Sequence, residues 1–121
     1  MTKSILVVED QEDNRQILRD LLGAHDYEMI EAENGQEALD AVARKRPDLI
    51  LMDIQLPVMD GYEATRRIKA NPEWKAIPII VVTSYALSGD AEKARAAGCD
   101  DYVTKPYSPR QLLAKIREFL K

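Results

Sequence analysis

The chain has 121 residues, 45% of them hydrophobic and 31% charged, with a formal net charge of −4. That length supports one core without a disulfide or metal staple, and a single cysteine, Cys99, excludes an internal disulfide. The acidic balance argues against nucleic-acid binding, and no apolar stretch approaches the roughly 20 residues that cross a bilayer.

Ile5 to Val8 is a four-residue apolar run ending in Glu9-Asp10, and it reads as a buried strand. Acids so soon after a short apolar run are not a signal peptide, so a cytoplasmic location is expected. From about Asp13 to Leu22, the spacing of Ile17, Leu18, Leu21 and Leu22 predicts a helix with these residues inward, and Gly23 fits its C′ position. His25 stands alone in the loop that follows and reads as solvated. Tyr27 to Ala32 alternates weakly, as a less buried strand does. Asn34-Gly35 turns into a helix through about Ala43, with Ala38, Leu39 and Val42 inward and Pro47 beyond its end. The basic cluster Arg44-Lys45-Arg46 sits at that end, where cations suit the helix dipole.

Leu49 to Asp53 is a continuous apolar run into an aspartate, bounded by Pro57 and Asp60-Gly61, the pattern of a strand buried on both faces. A helix from about Tyr62 to Ala70 is stopped by Asn71-Pro72, and Trp74 lies in a loop before Pro78. Ile79 to Val82 is another buried strand, closing on Thr83-Ser84. A weak, Ala-rich helix covers about Asp90 to Ala97 and ends at Gly98. Cys99 reads as a small buried residue at the start of the last strand, Asp101 to Thr104. Lys105-Pro106 leads to a strong helix from about Pro109, with Leu112, Leu113, Ile116, Phe119 and Leu120 on one face. Strand and helix alternate five times over residues 1–121, which calls for a single α/β domain with a parallel sheet covered on both faces.

The strands deliver Glu9-Asp10, Asp53, Thr83 and Lys105 at their carboxyl ends. In the order 2-1-3-4-5 the first and third strands are neighbours at the topological switch point, so the acids face one another. Carboxylates that close repel, and Lys105 can neutralise only one side. An open, all-oxygen site of this kind suits Mg²⁺. A carboxylate, a hydroxyl, a lysine and Mg²⁺ are the parts for moving a phosphoryl group onto Asp53 as an acyl phosphate. No Gly-rich phosphate loop is present, so a nucleotide is not the expected donor.

Over its whole length the chain resembles bacterial two-component response-regulator receiver domains of the stand-alone, CheY- or DivK-like kind. The residues that carry the match are Glu9-Asp10 in LVVEDQ, Asp53 in LILMDIQLPVMDG, Thr83 in IPIIVVTS and Lys105-Pro106 in DYVTKP. The resemblance implies a flavodoxin-like (βα)₅ sandwich and a phosphohistidine donor on a histidine kinase or histidine phosphotransfer protein. By position it makes Asp53 the phospho-acceptor, Asp10 and Asp53 direct Mg²⁺ ligands, and the main-chain carbonyl of Gln55 a third. Glu9 would act largely through water. Thr83 and Tyr102 resemble the switch pair, Gln55 and Tyr85 the residues that tune phosphoryl lifetime, and Pro106 a cis proline. Ser84 departs from the family's usual Ala or Gly and would crowd the phosphoryl pocket slightly. Output would then be a downstream protein bound at the face formed by the Asp90–Ala97 helix, the last strand and the last helix. The protein would be a monomer or a weak phosphorylation-dependent dimer, and a phospho-acceptor rather than an enzyme.

Two rivals remain. A Mg²⁺-dependent phosphohydrolase would need a second acid for the leaving group and a cap, and Ile54-Gln55 and the short loops supply neither. An unphosphorylated pseudo-receiver, binding partners without chemistry, would not need the intact set of acids, hydroxyl and lysine.

Overall fold

The short apolar runs become strands, and the longer amphipathic stretches between them become helices. The computed structural model describes residues 2–83 and 90–120. The elements are β1 (Ser4–Val8), α1 (Glu12–Ala24), β2 (Glu28–Ala32), α2 (Gly35–Arg44), β3 (Leu49–Asp53), α3 (Gly61–Ala70), β4 (Ile79–Thr83), α4 (Asp90–Ala97), β5 (Asp101–Thr104) and α5 (Pro109–Phe119). All neighbouring strands pair in parallel, in the order β2-β1-β3-β4-β5, so the flavodoxin-like order expected from the sequence is the observed one. No described helix is long and apolar enough to cross a membrane.

Strand alternation sorts the core into two clusters. Leu6, Val8, Ile50, Met52, Ile79 and Val81 pack against Ala38, Ala41 and Val42 of α2, Ala64 and Ile68 of α3, and Ala94 of α4. Ile5, Val7, Leu49, Leu51, Ile80 and Val103 pack against Leu18 and Leu22 of α1 and Leu112 and Ile116 of α5. β3 and β4 are buried throughout, as central strands covered on both faces must be, whereas edge strand β2 is largely exposed or half-buried.

Helix starts follow local chemistry. Asn34, Asp60 and Ser108 cap α2, α3 and α5 by accepting the N–H of Glu37, Glu63 and Gln111. At the end of α2, Lys45 pairs with Glu28 at 2.7 Å. α4 ends at Gly98, whose φ of 102° is open to glycine and strained for other residues.

Two expectations for α1 are corrected. Gly23 lies inside the helix, which continues to Ala24 with His25 as C-cap, and Asp26 takes the left-handed conformation at φ 64°. The extra residues let the N–H of Tyr27 reach the Leu22 carbonyl at 3.0 Å, closing the turn without a glycine. Ile17 points outward and is 58% exposed, because Leu18 and Leu22 already meet the sheet and Ile17 lies about 100° around the helix from Leu18. His25 is exposed as expected, with Nδ1 3.4 Å from Arg117 Nη2. Cys99 is half-buried rather than buried, and burial, with Asp100 and Asp101, pushes its thiol pKa up.

Candidate functional site

The site lies at the carboxyl end of the sheet, where β1 and β3 run side by side with Val8 opposite Met52. One residue further, Asp53 ends β3, and Glu9 and Asp10 follow β1. By strand parity Glu9 continues Ile5 and Val7, and Asp53 continues Leu49 and Leu51, so both project toward the α1–α5 side. One carboxylate oxygen from each of Glu9, Asp10 and Asp53 lies within 4.8 Å of the others. Glu9 and Asp53 are buried, and Asp10 is exposed.

Lys105 enters from the other side. Its main-chain N–H donates to the Thr83 carbonyl at 2.7 Å, which anchors the exit of β5 on β4. Its Nζ lies 3.5 Å from both Glu9 Oε2 and Asp53 Oδ2. The Lys105–Pro106 peptide is cis. Asp53 Oδ1 accepts the N–H of Ile54 at 2.8 Å, so the two acceptor oxygens have different surroundings. Gly61 lies against the Asp53 main chain, and a Cβ there would overlap the Asp53 carbonyl oxygen.

Charge is unbalanced in this cluster. Burial, a hydrogen bond with Glu9 and the Glu9 charge push the Asp53 carboxyl up to about 7, and Lys105 and the Ile54 N–H only partly oppose them. Burial would raise Glu9 as well, but its bonds with Asp53 and Asn14, and then Lys105, outweigh it and hold Glu9 below its usual value. Three carboxylates presenting only oxygen, with one ammonium beside them and an opening on the Asp10 side, fit a hard divalent cation that keeps waters.

Gln55, with Gln11 and Asn14, joins Glu9, Asp10, Asp53 and Lys105 around a pocket of about 420 Å³. Behind it a second pocket of about 430 Å³, mainly apolar, runs between α1 and the 105–109 segment, lined in part by Ile17, Leu18 and Tyr107. Thr83 is buried at 4% exposure and continues the parity of Ile79 and Val81, toward the α2–α3–α4 side. Tyr102, opposite Val81, packs against that same cluster. Ser84 and Tyr85 lie outside the described residues.

The structure adds Asn14, Arg15 and Tyr107 to this neighbourhood. Asn14 Nδ2 donates to Glu9 Oε1 at 2.7 Å. Arg15 is buried, donates to the Glu9 carbonyl at 2.8 Å, and pairs with Glu12 at 2.6 Å and Glu31 at 3.2 Å. Burial, then the Glu9 and Asp53 charges, raise the Tyr107 phenol pKa. The one sequence signal for Asn14 and Arg15 was their place in the first turn of a helix that starts beside the acids.

The family profile for the response regulator receiver domain matches residues 5–117. The chain belongs to the response regulator receiver family. It is 47% identical to the polar-differentiation response regulator DivK of Brucella anthropi over 120 residues, 99% of this chain and 98% of that protein. DivK of Brucella ovis is 46% identical over the same share. Among solved structures, the receiver domain of a Pseudomonas aeruginosa sensor histidine kinase, with a magnesium ion coordinated in its active-site cleft, matches with TM-score 0.92 and 37% identity, covering 99% of this chain and 98% of that one. A chemotaxis response regulator of Vibrio cholerae matches with TM-score 0.92 and 28% identity, covering 98% and 99%. The protein is thus a receiver domain of two-component signalling.

Proposed function

We propose that this receiver takes a phosphoryl group from a phosphohistidine onto Asp53, with Mg²⁺ bound, and thereby changes its affinity for a downstream protein. The observation that carries the reading is the buried Glu9–Asp53 pair, with Asp10 beside it and the Lys105 ammonium 3.5 Å from both buried carboxylates. Asp10, Asp53 and the Gln55 main-chain carbonyl would hold the ion, with Glu9 acting through water. When bound, Mg²⁺ supplies positive charge against the phosphoryl oxygens.

The chain's own residues do the rest. An Asp53 carboxylate oxygen attacks phosphorus, a P–O bond forms, and the P–N bond to the donor imidazole breaks with its electron pair remaining on nitrogen. Lys105 neutralises charge on the transferred oxygens, and Thr83 donates a hydrogen bond to one of them. Gln55 and Tyr85 tune the lifetime of the acyl phosphate by orienting or shielding the attacking water. The phosphoryl group adds about −1.5 to −2 charges, drawing Thr83 toward it. Tyr102 then turns inward and alters the α4–β5–α5 face, a coupling supported by Thr83 and Tyr102 sharing one side of the sheet.

Intact mass after treatment with a small phosphodonor should rise by one phosphoryl group in Mg²⁺, and not in EDTA or in Asp53→Asn. A phosphoryl group retained by Asp53→Asn would sink the acceptor assignment. No uptake by the wild type from any phosphohistidine or small donor would favour a pseudo-receiver.

A further inference from the structure

Glu9 and Asp53 are held in different ways. Asp53 is short, and the Ile54 N–H fixes it close to the strand. Glu9 has an extra methylene and a further rotatable bond, so its carboxylate samples more positions unless something holds it laterally. The Asn14 amide does so: Nδ2 takes Glu9 Oε1 at 2.7 Å and leaves Oε2 facing Lys105 at 3.5 Å. Asn14 is itself well placed to be rigid. It is half-buried, and the next residue, Arg15, ties the start of α1 to the Glu9 carbonyl at 2.8 Å. It lines both the acidic pocket and the apolar groove behind it, so its side chain stands between them.

We propose that Asn14 is a positioning residue of the metal site, acting through Glu9, and that it sets how tightly the site takes a divalent cation. The inference rests on reading the site as Mg²⁺-dependent. A neutral amide suits this role where a Lys or Arg would not, because it orients the carboxylate without adding a positive charge that opposes the ion. It also explains how a glutamate can serve beside β3: the amide takes up the freedom that the longer side chain brings.

The test titrates Mg²⁺ alone into the full unphosphorylated chain by calorimetry, with thermal melting in EDTA as a fold control. Asn14→Ala is expected to bind Mg²⁺ roughly three-fold more weakly than wild type, below the ~10-fold or more lost with partners of direct ligands, because Glu9 acts through water. Asn14→Gln, which keeps the amide on a longer stem, should recover part of the loss. In a Glu9→Ala background, Asn14→Ala should have no further effect. Wild-type affinity in Asn14→Ala, or an equal loss with and without Glu9, overturns the positioning role. A wild type that neither binds Mg²⁺ nor takes up phosphoryl at Asp53 overturns the reading of the site itself, which is a separable result.

Discussion

Replacing Asp53 by Asn should make the metal-free protein more stable at pH 8, although it removes the proposed phospho-acceptor. The folded protein lifts the Asp53 carboxyl from its usual 3.8 to about 7, mainly through burial and then through Glu9. A pKa raised on folding means that the folded state binds the proton more tightly. Stability from this group is therefore complete below pH 3.8 and is lost as pH rises through about 7. About three units correspond to at most about 4 kcal/mol at 1.36 kcal/mol per unit. The opposite shift of Glu9 returns part of that, and solvent on the Asp10 side screens more. A net gain of about 1–3 kcal/mol is expected for the neutral, isosteric Asn, whose Oδ1 can still accept the Ile54 N–H. For a chain of this size that is a rise of roughly 5–10 °C in Tm. Melting followed by circular dichroism in EDTA should show this gap at pH 8 and roughly a third of it at pH 5, where the folded carboxyl is protonated but the unfolded one is already ionised. Added Mg²⁺ should narrow the gap at pH 8 by stabilising the wild type. A gap that is independent of pH, or an Asn variant less stable than wild type at pH 8, would refute the electrostatic account.

Gly23→Ala should stabilise the protein by roughly 0.5–1 kcal/mol, because Gly23 is inside α1 and a Cβ there meets nothing within 4 Å. Urea unfolding would measure it, and a loss of stability would mean that Gly23 takes a left-handed turn in solution. Thr65 is fully buried in α3, and among the described residues its Oγ1 is a buried side-chain atom with no hydrogen-bond partner. Thr65→Val should therefore gain roughly 1 kcal/mol by removing an unmet hydroxyl, visible as a higher urea midpoint at unchanged slope; a lower midpoint would show that the hydroxyl has a partner.

Much of the fold was legible because burial on both faces leaves little choice of residue. Leu49 to Met52 and Ile79 to Val82 had to be apolar throughout, and the runs marked two of the three interior strands before any pairing was known. The acids and the hydroxyl were legible for the related reason that each directly follows or ends an apolar run, and Lys105 because it directly follows the last strand. Periodicity was less sure at α1. It grouped Ile17 with Leu18, Leu21 and Leu22, but the stripe α1 buries against the sheet is narrower than its apolar residues outline, and Ile17 falls outside it. The turn after α1 likewise depends on how Tyr27 meets the Leu22 carbonyl, a contact across five residues that glycine placement does not report.

The sequence by itself determined the alternation of five strands and helices, the buried central strands and the set of chemistry-bearing residues at the strand ends. These are properties of single residues and their neighbours along the chain. Only the tertiary structure decided how those residues stand to one another. Register brings Val8 opposite Met52, so that Glu9 and Asp53 share a side, and burial, followed by Glu9, pushes the Asp53 carboxyl up to about 7. The packing of α1 across that end then turns Asn14 and Arg15 onto Glu9. Such contacts depend on distance in space between segments that periodicity treats separately, and an ionisable group's pKa depends on those distances and on burial.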